Sequence, residues 1–513
     1  MTTGPIRLTE ILAAIAVATD LGTGQPMGHA LRTCLISVAI AREMGSGPDE
    51  LRVVQQVALL RFLGCTADAA ETAAMSGGDD LAFNAAMAPV FSGSTRQSMG
   101  RFVRTVGAGQ PTATRVRMVA SGLMSPGEVA SSLSAHCEVA TKLAERLELD
   151  RGVVEALGHA YERWDGKGFP EGLEEEAIPF AVRVVVVARD LDLLTRLGVD
   201  VADALRTRRG KAYDPAVVDV VSSMPSKWFE SLDSDDTWAA VAEAEPFPHA
   251  TIPSDGFDEA LGVFADFADL KSPWMRGHSR AVADLARSAA HTAGLGQEES
   301  DELGRAGLVH DLGRVGVENG IWDKQGTLST EAWERVRLHP YLTERILAHC
   351  APLTRLGEVA STHHERLDGS GYHRGAPAGS LTPACRILAA ADVWAALTAD
   401  RPHRPPMGPA SAARVMDDQV AEGRLDRDAV AAVRAATGER KPGAASESPA
   451  RLTAREHEVL LLIARGHSNK DVARDLFIAP KTVGRHVENI YAKIDVSSRA
   501  GAALYAMGQG LLG

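Results

Sequence analysis

The segment AVADLARSAAHTAGL, from Ala281 to Leu295, carries the pattern that decides the fold of this protein. Its apolar residues recur at the spacing of an amphipathic helix, and alanine-rich segments of the same kind run through most of the chain. Segments with the alternating pattern of strands are few. The sequence therefore predicts an all-α protein, and its 513 residues are enough for two to four domains.

The composition is that of an ordinary globular protein, with 45% hydrophobic and 24% charged residues. The net charge of -13 argues against a chain-wide nucleic-acid coat, but one small module can still bind DNA through a local basic face. The stretch ILAAIAVA from Ile11 is too short to cross a bilayer and follows no basic region. The five cysteines lack CxxC spacing. We therefore expect a cytoplasmic protein with reduced thiols and no membrane partner.

Two related halves precede a short C-terminal segment. YERWDGKGFPEG from Tyr161 matches HERLDGSGYHRG from His364, and Pro-containing polar stretches near 243–256 and 439–450 separate the parts. We expect the following organisation: a first domain at 8–240, a second domain at 257–437, a linker at 438–450 and a small domain at 451–513.

Histidine and aspartate residues of the second repeat fall at the edges of successive predicted helices: His278, His310, Asp311, His339, His363, His364 and Asp392. Imidazole and carboxylate groups together suit transition metals such as Fe, Mn or Zn. Neighbouring helical residues point about 100° apart, so a doublet at a helix end can direct both side chains toward one cluster. Asp311 is then placed to bridge two ions.

The strings HDLGRVG from His310 and HHERLDGSGYH from His363 resemble the HD-GYP subgroup of HD metal-dependent phosphohydrolases, over nearly the whole second repeat. The resemblance implies two divalent transition-metal ions, Fe or Mn, held by two sets of ligands: His278, His310, Asp311 and Asp392 for one ion, and Asp311, His339, His363 and His364 for the other. Some members bind a third ion through a glutamate, but this chain has Trp274 there.

Such a site supports hydrolysis of a phosphoester, because two ions share a water and lower its pKa toward neutrality. Asp311 and Arg314 are the predicted catalytic residues. Arg314 stands where the family has lysine, and Arg401 and Arg404 stand where it has basic residues that bind substrate phosphate, a role that the forked guanidinium suits. His373 replaces the proline that names the subgroup. The substrate is therefore left open as a cyclic dinucleotide or a related signalling nucleotide.

The first repeat lacks most of these ligands. It keeps His29 and His136, but the other positions hold different residues: Arg61, Phe62, Ala160, Tyr161 and Arg189. Phenylalanine cannot ligate a metal, and arginine places a cation where an ion should be. We expect a degenerate HD domain that serves as a scaffold or dimerisation element, or else a pocket that binds a ligand without turnover and is lined by Arg61, Arg189 and the ERWDGKGFP loop.

The C-terminal segment predicts a bundle of three to four short helices. Thr453 with Glu456 forms a capping box, Ser468 with Asp471 nearly does, and Pro480 suits the first turn of a helix. LTAREHEVL and TVGRHVENIYAKI resemble the LuxR-type helix-turn-helix domain over its full length. The resemblance implies binding to double-stranded DNA through a recognition helix, and a homodimer supported by the last helix. The candidate DNA contacts are Lys470, Lys481, Thr482, Arg485, Asn489 and Lys493.

The two parts together suggest a one-component transcription regulator whose HD domain hydrolyses a phosphorylated nucleotide and alters the DNA-binding end. The rival hypothesis is a transcription factor whose HD domains only sense a ligand or are structural, without turnover. The full ligand set favours the enzyme, whereas the changed GYP motif and the fused DNA-binding domain favour the sensor.

Overall fold

The computed structural model describes residues 6–93, 95–124, 126–225, 236–253, 256–439, 450 and 452–512. Contacts between Cα atoms divide the chain into two units: Met1–Ala260 with Glu318–Gly320, and Leu261–Val317 with Ile321–Gly513. Helices dominate both units, which confirms the predicted all-α class. Residues 440–449 of the predicted linker lie outside the described residues. No helix in the described part of the chain has both the length and the apolar character needed to cross a membrane.

The first unit contains short and medium-length helices and one small antiparallel pair of strands. The strands are β1 (Ile6–Arg7) and β2 (Thr251–Ile252), with Ile6 opposite Ile252. The helices of this unit are α1 Leu8–Gly22, α2 His29–Glu43, α3 Pro48–Leu60, α4 Ala69–Ser76, α5 Asp80–Met87, α6 Thr95–Thr105, α7 Thr112–Met124, α8 Pro126–Arg146, α9 Arg151–Gly158, α10 Phe180–Arg196, α11 Val201–Arg208, α12 Pro215–Ser223 and α13 Thr237–Ala244.

The second unit contains the second repeat, apart from residues 257–260 and 318–320, and the C-terminal helices. Those of the repeat are α14 Phe257–Leu270, α15 His278–Thr292, α16 Gln297–Val309, α17 Asn319–Trp322, α18 Thr330–Arg337, α19 His339–Leu347, α20 Ala351–Ala360, α21 Pro383–Thr398, α22 Pro409–Ala421 and α23 Arg427–Glu439. The C-terminal helices are α24 Ala454–Ala464, α25 Asn469–Asp475, α26 Pro480–Ile494 and α27 Arg499–Gly508.

The same three helices form the centre of each repeat. In the first unit α2, α3 and α10 pack against one another, and in the second unit α15, α16 and α21 do so. Leu60 and Val309, the last residues of α3 and α16, are both fully buried. Each repeat therefore brings the end of its second core helix to the middle of its third, and in the second unit this is where the predicted ligands lie.

The C-terminal helices pack around a small apolar core that includes Val459, Ile463, Val472, Val483 and Ile490. The side-chain oxygens of Thr453 and Ser468 accept from the backbone N–H three residues on, and the partner carboxylates of Glu456 and Asp471 bond back. Both capping boxes are thus complete. The sequence predicts the one at Thr453, and the pattern at Ser468 nearly matches a capping box. Helix α26 begins at Pro480 without a side-chain cap from Ala479.

Candidate metal centre and DNA-binding helix

Three histidines stand where helices end, and this fixes their tautomer. His310 follows α16, His339 follows the last residues of α18, and His363 comes three residues after α20 ends. The Nδ1 atom of each lies 2.6–2.7 Å from the carbonyl three residues earlier. Such carbonyls at a helix C-terminus lack an intrahelical partner. Donation from Nδ1 leaves each Nε2 as the atom that could bind a metal. Burial lowers the pKa of His310, but Asp311 and Asp392 outweigh this and raise it to about 9, so a metal at this Nε2 would displace a proton.

The Asp311 carboxylate lies between two pairs of these imidazoles. Its Oδ2 atom is 3.7 Å from Nε2 of His278 and 3.5 Å from Nε2 of His310. Its Oδ1 atom is 3.4 Å from Nε2 of His339 and 3.5 Å from Nε2 of His363. Each oxygen therefore faces a different pair, which is the arrangement expected of a bridging carboxylate.

Asp392, in α21, completes one group of donors, and His364 completes the other. The Oδ1 atom of Asp392 is 3.2 Å from Nε2 of His278 and 3.7 Å from Nε2 of His310. The ring of His364 lies 4.1 Å from that of His363, measured between centroids. The structure thus brings all the predicted ligands together. Their donor atoms lie within 4.8 Å of one another in three sets: His278, His310 and Asp392; His339, His363 and His364; and His310, Asp311 and His363.

The electrostatics of the cluster suit cation binding. Burial lowers the pKa of His278 and of His339 to about 4, so both are neutral donors at physiological pH. Burial raises the pKa of Asp311, but His310 and Arg314 outweigh this and hold it well below its usual value. The Nε2 atom of His310 and the Oδ1 atom of Asp311 are buried without a hydrogen-bond partner. Buried, unsatisfied nitrogen and oxygen donors of this kind fit transition-metal ions.

The three predicted phosphate-binding arginines lie in different surroundings. Arg314 stacks on the Trp322 ring, with Cζ 3.7 Å from its centroid, and Nη1 lies 3.3 Å from Oδ2 of Asp311. Arg401 is also at the cluster, because its Nη2 lies 3.4 Å from Nδ1 of His278. Arg404, in contrast, donates to the carbonyls of the last turns of α21 and of the turn that follows. Its guanidinium is therefore engaged with the backbone.

Several side chains around the cluster were not predicted from the sequence. Trp322 packs against Arg314 and also contacts the His339 ring at 5.5 Å. The Tyr372 ring lies 4.7 Å from that of His364. The Thr343 hydroxyl donates to the carbonyl of His310 at 3.0 Å. Tyr372 belongs to the quoted GYH motif and was within reach of sequence reasoning, whereas no pattern points to Trp322 or Thr343.

The described residues of the first unit contain no comparable group of metal donors. His29 is committed to Asp192, with Nδ1 2.5 Å from Oδ2. His136 pairs through Nε2 with Asp68 at 2.7 Å and contacts the Tyr161 hydroxyl at 3.1 Å. The retained histidines thus bond to carboxylates of their own unit rather than to one another.

Helix α26 presents a polar stripe to solvent. Lys481, Arg485 and Asn489 are exposed and follow at intervals of four residues, which places them on one face, while Val483 and Ile490 are buried on the other. Thr482 and, on the preceding helix, Lys470 are exposed as well.

Lys493 differs from the other DNA-contact candidates. Its Nζ atom lies 2.9 and 2.7 Å from the two carboxylate oxygens of Glu456, which also accepts from the backbone N–H of Thr453. These hydrogen bonds lower the pKa of the Glu456 carboxyl to about 2. Lys493 therefore joins α26 to the start of α24 in this structure.

Comparison with known proteins agrees with this geometry. The HD domain family matches residues 124–217 and 262–429, and the bacterial regulatory proteins of the LuxR family match residues 450–506. The chain belongs to the HD domain family and carries a C-terminal LuxR-type DNA-binding domain. Membership of the HD family implies dependence on divalent metal.

Individual relatives match each part. A 3'3'-cGAMP-specific phosphodiesterase of Vibrio cholerae is 30% identical over 422 residues, covering 80% of this chain and 91% of the relative. The crystal structure of a cyclic GMP-AMP-specific phosphodiesterase from the same organism covers 85% of this chain and 99% of its own, at 26% identity and a TM-score of 0.60. The transcriptional regulatory protein LiaR of Bacillus subtilis is 54% identical over 55 residues, 11% of this chain and 26% of LiaR. HD phosphodiesterase homology and a DNA-binding domain thus occur in one chain.

Proposed function

We propose that this protein is a DNA-binding regulator whose second HD domain hydrolyses a phosphodiester bond of a cyclic dinucleotide. The observation that carries the proposal is the Asp311 carboxylate, with one oxygen toward His278 and His310 and the other toward His339 and His363. The similarity to cGAMP-specific phosphodiesterases favours cyclic GMP-AMP as the first substrate to test. We keep the domain limits 8–240, 257–437 and 451–513, with a linker at 438–450, as part of this proposal.

The metal ligands are assigned to two sites. One consists of His278, His310, Asp311 and Asp392, the other of Asp311, His339, His363 and His364. Nitrogen donors with two carboxylates favour Fe or Mn as the resident ions. Such ions, when bound, lower the pKa of a shared water and neutralise a phosphate oxygen.

The arginines at the cluster have a separate task. Burial lowers the pKa of Arg401, and the positive charge of the nearby Arg314 lowers it further, to about 10. Two cations held together in this way are stabilised by a bound phosphate, whose oxygens accept from the forked guanidinium. Arg314 would hold the phosphate as negative charge develops at phosphorus. We assign Arg404 to the turn after α21, because its hydrogen bonds go to backbone carbonyls.

A direct assay separates this proposal from the ligand sensor. The purified chain, loaded with Mn or Fe, is incubated with cyclic GMP-AMP, other cyclic dinucleotides and linear nucleotides, and products are followed by chromatography. Hydrolysis that requires metal and is lost in Asp311→Ala supports the enzyme. A fully metal-loaded chain that hydrolyses none of them, yet changes its operator affinity on nucleotide binding, supports the sensor.

The DNA-binding domain touches the loop that leads into the metal cluster. Nη1 of Arg276 donates to the carbonyl of Ala464 at 3.0 Å. Gly466 lies so close to Pro273 that a Cβ atom at Gly466 would be 2.7 Å from the proline Cβ. The end of α24 therefore packs directly on residues 273–276.

The same loop contacts the phosphate side of the cluster. Gly277, at a φ of +82°, approaches Leu512 and directly precedes the ligand His278. Arg401 donates to the carbonyl of Trp274 at 3.1 Å. A nucleotide phosphate that binds Arg401 would thus shift the loop against which the DNA-binding domain packs. This contact is our basis for coupling the two activities.

The coupling is tested with Arg276→Ala, compared with Arg337→Ala, which removes an exposed arginine paired with Glu334. In the parent chain, nucleotide is expected to change the affinity for DNA. Arg276→Ala should reduce that change while hydrolysis persists, whereas Arg337→Ala should leave it intact. Equal coupling in all three chains would exclude the loop contact as the route.

The proposal includes a homodimer that binds a palindromic site. Most residues of α27 are buried within the unit, so pairing through this helix requires that it be uncovered. Sedimentation of the chain with and without operator DNA measures this step, and a chain that stays monomeric on a palindrome would contradict it.

A further inference from the structure

The first unit places two buried guanidinium groups where the second unit places metal ligands. Arg61 follows α3 as His310 follows α16, and Arg189 lies within α10 as Asp392 lies within α21. Each arginine is only 3% exposed. The position that would hold cations in the second unit is therefore occupied by cations in the first.

Arg61 has donors without acceptors. Its Nε and Nη1 atoms are buried and have no hydrogen-bond partner, and the Nε atom of Arg189 has none either. Burial, and then the positive charge of Arg189, lower the pKa of Arg61 to about 10, so the group stays protonated at neutral pH. A buried, charged donor left unsatisfied is strongly unfavourable, and an acceptor of opposite charge removes that penalty.

The nearby carboxylates are already engaged. Asp190 accepts from Arg189 and, at 2.6 Å, from Arg208. Asp68 is bound to His136 through a 2.7 Å contact to Nε2. Positive charge is therefore in local excess around the two arginines.

Aromatic rings form the wall beside these groups. The Cζ atom of Arg61 is 5.7 Å from the centroid of the Tyr161 ring, and that of Arg189 is 5.9 Å from the Phe91 ring. Phe91 and Tyr161 contact each other at 5.3 Å, and Phe91 is 38% exposed, so the wall reaches the surface. Ring faces attract a guanidinium at this distance but offer its N–H groups no lone-pair acceptor.

We propose that Arg61 and Arg189 form a binding site for a phosphate group in the first unit. Phosphate offers several oxygens to the free Nε and Nη1 groups of Arg61 and to the free Nε group of Arg189, whose Nη2 already donates to the Ala88 carbonyl. Its negative charge matches the local excess of positive charge. The group belongs either to inorganic phosphate or to a nucleotide whose base lies on the Phe91 ring. The first unit would then bind a phosphorylated ligand without the metal donors needed to hydrolyse it.

The test uses the full chain carrying Asp311→Asn, which removes the shared ligand of the second unit. Inorganic phosphate is titrated calorimetrically, and melting is followed with and without phosphate. Arg61→Met should weaken phosphate binding at least 10-fold. Arg209→Met, which removes an exposed arginine of the first unit that pairs with Asp219, should leave that binding event in place. Without phosphate, Arg61→Met should melt at the same temperature as its parent or higher, because it removes an unmatched buried cation.

Unchanged phosphate affinity in Arg61→Met would overturn the site. So would a lower melting temperature of Arg61→Met without phosphate, since the guanidinium would then already have its acceptor within the chain. Cyclic GMP-AMP provides the second arm. If cyclic GMP-AMP binds more tightly than inorganic phosphate, and Phe91→Ala removes this difference in affinity, the ligand is a nucleotide. If the two affinities are equal, the ligand is free phosphate. The outcome is independent of the proposed hydrolysis, in which Arg61 has no part.

Discussion

Replacing the two aspartates of the metal cluster should have unequal effects on metal content. Asp311 lies between the two groups of imidazoles, whereas Asp392 is nearest to one group: its Oδ1 is 3.2 and 3.7 Å from Nε2 of His278 and His310, and its Oδ2 is 3.9 Å from Nδ1 of His364. Asp392→Asn should therefore remove one ion and leave the other with Asp311, His339, His363 and His364. Asp311→Asn should remove both. Elemental analysis after loading with Mn is expected to give two, one and no equivalents for the parent, Asp392→Asn and Asp311→Asn.

The same stoichiometry sets the size of the thermal shift. At a free metal concentration 100-fold above Kd, one bound ion stabilises the folded state by about 2.7 kcal/mol. The second unit, Leu261–Val317 with Ile321–Gly513, has roughly 250 residues, for which Tm moves by about 2–4 °C per kcal/mol. Metal should thus raise Tm by about 5–11 °C for each bound ion. The Asp392→Asn chain should show this shift once, the parent should show twice the shift, and Asp311→Asn should show none.

Asp417→Asn is the control for both measurements, because it alters an exposed carboxylate on α22 that pairs with Arg434. It should keep the two equivalents and the full thermal shift of the parent. An Asp311→Asn chain that still holds one tightly bound ion would refute the bridging role. An Asp392→Asn chain that loses both ions would refute the division into two sites.

Three further outcomes are expected. Arg314→Ala should keep both ions but lower turnover by about 10- to 1000-fold, as one charge contact at the transition state is lost; loss of metal would instead make it a structural support of Asp311. Arg485→Ala should reduce discrimination between a selected operator and random DNA, whereas Lys470→Ala should weaken both alike, measured by anisotropy at several salt concentrations. Glu456→Gln should destabilise the C-terminal domain by about 1–2 kcal/mol at neutral pH. Because the folded-state pKa of Glu456 is depressed to about 2, its contribution is full above its ordinary pKa and is lost as pH falls from about 4.5 toward 2; urea melts that keep this pH dependence after the substitution would contradict it.

The proximity of the candidate metal ligands was largely predictable because these residues stand at helix boundaries that the sequence marks. His310 and Asp311 follow an apolar helical pattern, and His363 and His364 precede a glycine-rich turn. Side chains at neighbouring helix ends can point toward one cluster, whereas the division of these ligands into two sets came from the resemblance to the HD-GYP subgroup. Which oxygen of Asp311 faces which pair depends on side-chain rotation, and only the structure supplies it.

Side-chain partners at long sequence separation were beyond prediction. Lys493 and Glu456 lie 37 residues apart, and their contact depends on how α24 and α26 cross in space. The partner of Arg404 also depends on the fold. After the end of α21 a guanidinium can reach either a substrate or the free carbonyls of the last helical turn. The sequence shows that Arg404 and Lys493 are positively charged, but it does not show which acceptor each side chain contacts.

The two repeats differ in their ligands far more than in the framework that positions them. Glu365 accepts from the backbone N–H groups of Arg374 and Ala376, which ties the DGSG loop beside the metal cluster. Glu162 does the same for the DGKG loop of the first unit, where it accepts from residues 171–173. A repeat that serves only as a scaffold needs its core helices, but it does not need a carboxylate such as Glu162 that fixes the conformation of a loop. The presence of Glu162 in the first unit therefore favours a unit that still recognises a ligand over one that serves as a scaffold alone.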